Sequence, residues 1–296
     1  MTILRTPDDR FASLPDWPYA PRYVDDLPGY AGLRMHYVDQ GPRDGRVFLC
    51  LHGEPSWAYL YRRMLPKFIA TGARVVAPDF FGFGRSDKPS DDATYTTAFH
   101  RGALLALIGA LGLQRVTLVV QDWGGLIGLT LPLAFPARFE RLIVMNTMFG
   151  VGAVTPGFLA WRDYAANNPD MPVGGLIKRG TPHLTDAEVA AYDAPFPDQS
   201  YKAGVRRFPQ LVPTAPDQPF AKLSREARDW WSKNWRGESF MAVGMADPVL
   251  GPAVMADLAK SIRGCPPPLE IAGGGHFVQE WGGEIADAAL AHFGDA

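Results

Sequence analysis

Short apolar runs recur along the chain, and amphipathic helical patterns separate them, an arrangement that few folds can accommodate. Seven of these runs are rich in β-branched residues and have the length of strands: 35–40, 47–53, 74–79, 116–122, 142–147, 239–245 and 269–275. Helices are predicted over 58–72, 98–112 and 277–293, and a glycine closes the first two. Nearly continuous apolar strands that alternate with helices predict an α/β fold with a mostly parallel sheet and helices on both faces.

The alternation stops between residues 148 and 222. This segment is rich in proline, glycine and aromatic residues and has no convincing strand, but Thr185 and Glu188 have the spacing of a capping box. We therefore predict a core domain formed by residues 1–147 and 223–296, and a helical cap domain formed by 148–222. A cap laid over the carboxyl ends of the strands, where such sheets carry their ligand sites, would exclude water.

Composition excludes several classes of function. The formal net charge of −2 provides no basic surface for nucleic acid. The two cysteines, Cys50 and Cys265, lack the spacing of a disulfide framework or a metal site. No apolar run reaches the roughly 18 residues that cross a bilayer, and the N-terminus has no signal-peptide pattern. We therefore expect a cytoplasmic protein with no metal and no nucleic-acid or membrane partner. We also expect a monomer, although no sequence feature specifies the oligomeric state.

One predicted strand ends in the motif VVQDWGGLIG, which is similar to the sharp turn on which hydrolases present a nucleophilic serine. Here the position of the nucleophile holds Asp122, between a predicted strand and a predicted helix. Gly124 and Gly125 would let the helix pass close to the strand, and the positive end of the helix dipole would keep the carboxylate ionised. Asp122 is the candidate nucleophile, and a residue that only caps the helix is the alternative.

Two later strand ends supply partners for this carboxylate. His276, in GGGHF, follows the last predicted strand and is the best placed of the six histidines. Asp247 follows the preceding strand and completes the chain order nucleophile, acid, histidine. Asn146 ends another strand, but a neutral amide cannot stabilise an imidazolium as a carboxylate does. Asp247 is therefore the predicted acid.

An aspartate nucleophile suits displacement at saturated carbon. Its carboxylate would form an alkyl ester, and water deprotonated by His276 would hydrolyse that ester and regenerate Asp122. A serine would instead form an ether, which has no carbonyl group to hydrolyse. The oxyanion of the second step needs hydrogen-bond donors, and the backbone N–H groups of Glu54 and Trp123 are predicted to provide them.

Five motifs occur in an order that resembles the haloalkane dehalogenases of the α/β-hydrolase superfamily: HGEPSWAYLYRRMLP, APDFFGFGRSDKP, VVQDWGG, GMADPVLGP and GGGHFVQE. The resemblance is greatest to the subgroup with HGEP at the oxyanion loop and a catalytic acid after a late strand. It implies an α/β-hydrolase fold with an inserted helical cap, no cofactor, and hydrolysis of a haloalkane to a primary alcohol, a halide ion and a proton. It assigns Asp122 as nucleophile, Asp247 as acid, His276 as base, and Glu54 and Trp123 as oxyanion donors.

The resemblance also implies a halide site built from two indole N–H groups, which are donors without an acceptor. Trp123 is the first. The second should come from the cap, but Gly180 stands where a tryptophan is expected, so Trp161, the single tryptophan of the cap segment, is predicted to take this role. Packing within the cap is the alternative for Trp161. Phe149 and Phe158 are predicted, from proximity alone, to line the substrate pocket.

Three other functions are compatible with parts of this pattern. An epoxide hydrolase would share the Asp–His–Asp layout and would need two cap tyrosines, for which Tyr164, Tyr192 and Tyr201 are available. A tryptophan directly after the nucleophile suits a halide better. A haloacid dehalogenase would need an arginine soon after the nucleophile to bind a carboxylate, and the motif has none. A non-catalytic binding module would leave the placement of Asp247 and His276 unexplained.

Overall fold

The computed structural model describes residues 2–295. Its strands are β1 (Ile3–Leu4), β2 (Arg22–Val24), β3 (Met35–Gln40), β4 (Val47–Leu51), β5 (Arg74–Pro78), β6 (Lys88–Pro89), β7 (Val116–Val120), β8 (Phe139–Met145), β9 (Glu238–Gly244) and β10 (Leu269–Ile271). Its α helices are α1 (Leu65–Ala70), α2 (Thr97–Ala110), α3 (Asp122–Gly128), α4 (Pro156–Asn167), α5 (Val173–Gly180), α6 (Asp186–Asp193), α7 (Ala203–Leu211), α8 (Pro219–Lys233), α9 (Pro252–Ser261) and α10 (Gly282–Phe293). Short 3-10 segments, among them Ala58–Tyr61 and Val278–Trp281, connect several of these elements.

Eight strands form one sheet in the order β10-β9-β8-β7-β4-β5-β3-β2. The six strands from β10 to β5 are parallel, whereas β3 pairs antiparallel with β5 and with β2. Every residue of β4, β5 and β7 is buried, which explains why these strands are apolar without alternation. The predicted mostly parallel sheet is confirmed.

The seven predicted strands all occur, but three short ones were not predicted. β2 and the two-residue pair β1 and β6 are too short to produce a hydrophobic pattern. The helix predicted over 58–72 is divided into the 3-10 segment Ala58–Tyr61 and α1. Pro66 lies in the first turn of α1. Because proline has no backbone N–H, it cannot make the hydrogen bond to the preceding turn that one continuous helix would require.

Between β8 and β9, the described chain forms helices only, α4 to α8. The predicted capping box is present, because the Thr185 hydroxyl accepts from the Glu188 N–H and the Glu188 carboxylate accepts from the Thr185 N–H at 2.8 Å. The predicted end of the cap at residue 222 falls inside α8, which is continuous from Pro219 to Lys233. Trp231 of this helix donates to the Leu129 carbonyl at 2.8 Å, so α8 packs on the core. Within residues 2–295 no helix is long and apolar enough to cross a bilayer.

The parallel strands bring five loops to one edge of the sheet. Glu54 follows β4, Asp122 follows β7, Asn146 follows β8, Asp247 follows β9 and His276 follows β10. Carboxyl ends of parallel strands meet at the same edge, so these residues can assemble into one site although they are far apart in sequence.

Candidate active site

Asp122 occupies a strained turn between β7 and α3. Its φ is +48°, in the left-handed region that aspartate tolerates better than most residues, and Gln121 before it is extended. The Asp122 N–H donates to the Asn146 carbonyl at 2.9 Å, which ties the turn to the end of β8. Strained backbone of this kind is concentrated at functional sites, where the surrounding structure holds it.

The two glycines after this turn allow α3 to lie directly on the sheet. A Cβ atom on Gly124 would be 2.0 Å from the Leu51 carbonyl oxygen, and one on Gly125 would be 2.1 Å from the Thr147 hydroxyl. Neither contact is physically possible, so only glycine fits at these positions. The close packing predicted from the motif is confirmed.

The structure brings the three predicted catalytic side chains together. His276 Nδ1 lies 2.9 Å from Asp247 Oδ2, a hydrogen-bonding distance. His276 Nε2 lies 3.7 Å from Asp122 Oδ1, which is too long for a direct hydrogen bond. The arrangement fixes one ring nitrogen on the acid and turns the other towards the nucleophile.

Asp247 accepts hydrogen bonds from three groups besides His276. Its Oδ1 accepts from the backbone N–H groups of Val249 and Leu250 at 2.9 and 3.0 Å, and its Oδ2 accepts from Asn146 Nδ2 at 3.0 Å. Asn146, the polar residue at the neighbouring strand end, thus supports Asp247 and does not replace it. Its position at a neighbouring strand end was the available signal for this role.

Burial and charge act in opposite directions on these groups. Burial disfavours the imidazolium of His276, but the carboxylates of Asp247 and Asp122 outweigh this effect and raise its pKa to about 9. Burial raises the pKa of Asp247, but the imidazolium and the two backbone N–H groups outweigh it and lower that pKa to about 2. Burial raises the pKa of Asp122 despite the opposing effects of His276 and of backbone N–H donors.

The two predicted oxyanion donors both reach the Asp122 carboxylate. The Glu54 backbone N–H donates to Asp122 Oδ2 at 2.8 Å, and the Trp123 backbone N–H also bonds to this carboxylate. Sequence reasoning missed the side chain of Glu54. It is buried, its Oε1 has no hydrogen-bond partner among residues 2–295, and burial followed by repulsion from Asp122 raises its pKa well above the usual value.

A cavity of about 260 Å³ lies over these groups. Trp123 and Trp161 both line it, and neither indole N–H has a hydrogen-bond partner within residues 2–295. Phe158 also lines the cavity. Phe149 does not line it and is packed in the hydrophobic core instead, because proximity to a strand end along the chain does not determine which way a side chain points.

Gly180 is part of the cavity wall, and a Cβ atom there would have nothing within 4 Å. The cap tyrosines Tyr164, Tyr192 and Tyr201 are absent from the wall as far as residues 2–295 show. Tyr192 is buried, and its hydroxyl bonds to the Glu280 carboxylate. The groups that an epoxide hydrolase would need are therefore not at this site.

Gln121, the residue before the nucleophile, was also missed. Its side-chain amide donates to the His276 carbonyl oxygen at 3.0 Å and lies 3.2 Å from His276 Nε2. Its position directly before Asp122 was the only signal in the sequence, and that position does not specify a contact with a residue 155 positions away.

Comparison with known proteins identifies the family. A family model described as alpha/beta hydrolase fold matches residues 46–283. The chain is 46% identical to a haloalkane dehalogenase from Psychrobacter cryohalolentis, covering 99% of this chain and 98% of the relative, and 44% identical to one from Mycolicibacterium paratuberculosis, covering 98% of each. The structure of the haloalkane dehalogenase DpaA from Paraglaciecola agarilytica, described as tetrameric, matches with a TM-score of 0.97 and 50% identity over 98% of each chain. This chain belongs to the haloalkane dehalogenase family of α/β hydrolases, enzymes that act on carbon–halogen bonds.

Proposed function

We propose that this protein hydrolyses haloalkanes to a primary alcohol, a halide ion and a proton, with Asp122 as nucleophile and without a cofactor. The observation that carries the proposal is the joint placement of a carboxylate and two indole rings around one cavity, with His276 Nε2 3.7 Å from that carboxylate. A carboxylate can attack carbon, and indole N–H groups can bind the anion that leaves.

In the first step, an oxygen of Asp122 attacks the carbon that bears the halogen. A carbon–oxygen bond forms, the carbon–halogen bond breaks, and its electron pair leaves with the halide. Trp123 and Trp161 would donate their indole N–H groups to that halide, which develops its charge as the bond breaks. The product of this step is an alkyl ester of Asp122 and a bound halide ion.

In the second step, water gives a proton to His276 Nε2 and its oxygen adds to the carboxyl carbon of the ester. The backbone N–H groups of Glu54 and Trp123 would stabilise the oxyanion. The carbon–oxygen bond to the acyl carbon then breaks, the alcohol takes a proton from His276, and the carboxyl group of Asp122 releases its proton to solvent. Asp247 would hold the imidazole in the orientation and tautomer that this transfer needs.

Esterification changes the charge around the base. It removes the negative charge of Asp122, which is one of two carboxylates that raise the pKa of His276 to about 9 in the free enzyme. The pKa of His276 in the ester should therefore be lower than in the free enzyme. Loss of this charge therefore favours the neutral imidazole, which can accept a proton, at the stage when a base is required.

We divide the chain into a core of residues 1–147 and 223–296 and a cap of residues 148–222 that contributes Phe158 and Trp161 to the cavity. We also propose a cytoplasmic monomer, as expected from the sequence. Because the Paraglaciecola relative is described as tetrameric, light scattering on the purified protein is the measurement that decides the oligomeric state.

The purified protein is expected to release halide and protons from short 1-bromo- and 1-chloroalkanes. The physical reason is that the site offers a nucleophile and halide donors, whereas the described residues that line the cavity include no tyrosine to protonate an epoxide oxygen. Halide release and acidification should be followed across a panel of haloalkanes, with terminal epoxides of matched chain length as controls. Turnover of the epoxides alone would contradict the proposal and favour an epoxide hydrolase.

Replacing Trp161 with phenylalanine is expected to weaken halide binding by about 10- to 100-fold, since a hydrogen bond to a charged group contributes roughly 1.5–3 kcal/mol. Quenching of tryptophan fluorescence by bromide measures this affinity. Trp230→Phe is the matched control, because Trp230 is half-buried against Trp231 and Trp235 and does not line the cavity. An unchanged affinity in Trp161→Phe would limit Trp161 to packing.

A further inference from the structure

A buried amide pair lies beneath the proposed general base. The side chains of Gln121 and Gln279 are fully buried, and Gln279 Nε2 donates to Gln121 Oε1 at 3.3 Å. Gln121 Nε2 in turn donates to the carbonyl oxygen of His276 at 3.0 Å. Because a carbonyl oxygen can only accept, this bond requires the NH₂ group of Gln121 to face His276.

The same NH₂ group also contacts the imidazole. Gln121 Nε2 lies 3.2 Å from His276 Nε2, so one amide hydrogen can be directed to the carbonyl oxygen and the other to the ring nitrogen. A donor at this nitrogen is compatible with a lone pair on Nε2 and a proton on Nδ1. That tautomer is also the one in which Nδ1 donates to Asp247.

The backbone around the base has little stiffness of its own. Residues 273–275 are three consecutive glycines, and glycine restricts the backbone less than any other residue. Fixed contacts from the core must therefore hold the loop. The Ala246 N–H donates to the Gly274 carbonyl at 2.8 Å, and the Gln121 amide donates to the carbonyl of His276, two residues later.

We infer that Gln121 is a positioning residue for the general base: its amide holds the His276 carbonyl and donates to Nε2, which favours the neutral imidazole that carries its lone pair on the nitrogen that must accept the proton of water. Gln121 precedes Asp122 directly, so one short segment would set both the nucleophile and the base. The inference rests on the proposed function, because it assigns the residue to the ester-hydrolysis step.

The carboxylates around His276 favour its protonation, and a donor at Nε2 would oppose this effect. Among the described residues that line the cavity, the titratable ones are Glu54, Asp122, Asp247 and His276 itself. Asp122 and Asp247 raise the pKa of His276, and Glu54, buried next to Asp122, has a pKa raised well above its usual value. An amide donor at Nε2 disfavours protonation there, so it acts against the two carboxylates.

The test uses the full-length protein with Gln121→Glu and Gln121→Met in single-turnover experiments with 1-bromobutane. Rapid quenching and intact-mass measurement separate formation of the ester from its hydrolysis, and both rates are followed against pH. Gln40→Glu is the matched control, because Gln40 pairs with Val75 near the opposite edge of the sheet.

Ester formation is expected to stay within about threefold of the wild-type rate in both variants, because that step needs no base. Hydrolysis should slow by about 10- to 100-fold in Gln121→Met at neutral pH. In Gln121→Glu, a carboxylate replaces the donor and stabilises the imidazolium, so the midpoint of the pH–hydrolysis profile should rise by about one unit or more. Gln40→Glu should retain the wild-type profile.

A Gln121→Glu midpoint within about 0.2 units of wild type would overturn the inference, since a merely structural role predicts no shift. If both Gln121 variants fail to fold, Gln279→Met carries the test. It removes the donor to Gln121 Oε1 without altering Gln121 itself, and it should slow hydrolysis without slowing ester formation. Equal rates in Gln279→Met and wild type would then overturn the inference. Absence of any ester in the wild type would instead contradict the proposed function.

Discussion

His276→Phe is expected to convert the enzyme into a trap for its own alkyl ester. Displacement of halide needs no base, whereas attack of water on the ester does, so removing the imidazole should slow turnover by about 10²- to 10⁴-fold. Incubation with a 1-bromoalkane should release one equivalent of halide per protein and then stop. Intact-mass measurement should show the added alkyl group, and peptide mapping should place it on Asp122.

His292→Phe is the matched control for this experiment. His292 is exposed near the end of α10, against Phe240 and Phe293, and has no contact with the cavity. This variant should turn over at the wild-type rate. If His276→Phe releases no halide and gains no mass while the wild type is active, the two-step scheme is wrong.

Asp122→Asn is expected to abolish both halide release and ester formation, with turnover lower by about 10⁴-fold or more. A neutral amide is a poor nucleophile, and the two other carboxyl groups that line the cavity cannot readily replace it. Asp247 is engaged by His276, Asn146 and backbone N–H groups. Burial raises the pKa of Glu54, which disfavours its nucleophilic, ionised form. Asparagine also tolerates a left-handed φ, so the turn at +48° should be preserved. Mass spectrometry after incubation with substrate tests for the ester, and circular dichroism tests whether the fold is preserved.

Asp257→Asn is the corresponding control, since Asp257 is exposed on α9 and pairs with Lys260. It should retain activity. An alkyl adduct that forms on the Asp122→Asn variant at another residue would mean that Asp122 is not the nucleophile.

The positions of Asp122 and Asp247 could be predicted because the strands before them are almost continuously apolar. The strand before His276 is short and has an exposed glutamate, so His276 was predicted from its place after the last strand. Buried parallel strands have no polar face, so each polar residue that ends such a run stands out, and the sheet then collects these ends at one edge. The cap was predictable as a region without strands and, from the spacing of Thr185 and Glu188, as the start of one helix. Its helices are short, and nothing in the sequence distinguishes the end of the cap from the start of α8.

Three features could not be predicted, and they share a physical cause. The contact of Gln121 with His276, the buried carboxyl of Glu54 and the inward packing of Phe149 all depend on side-chain direction. Sequence periodicity gives the face of a strand or helix, but these three residues lie in or beside turns. In such positions, local backbone geometry decides where a side chain points, and residues distant in sequence provide its contacts.

The way the cap is attached to the core determines how enzymes of this architecture can acquire a new substrate specificity. The inserted helices leave the sheet after β8 and return at β9, which is its immediate neighbour. Asn146, where the insertion leaves the sheet, binds both Gly244 and Asp247 at the carboxyl end of β9, so the core itself holds this edge of the sheet together. Because the reacting groups lie on the core, a cap of another length could be inserted between β8 and β9 as a module. Such exchanges would reshape the cavity while the reacting groups kept their spacing.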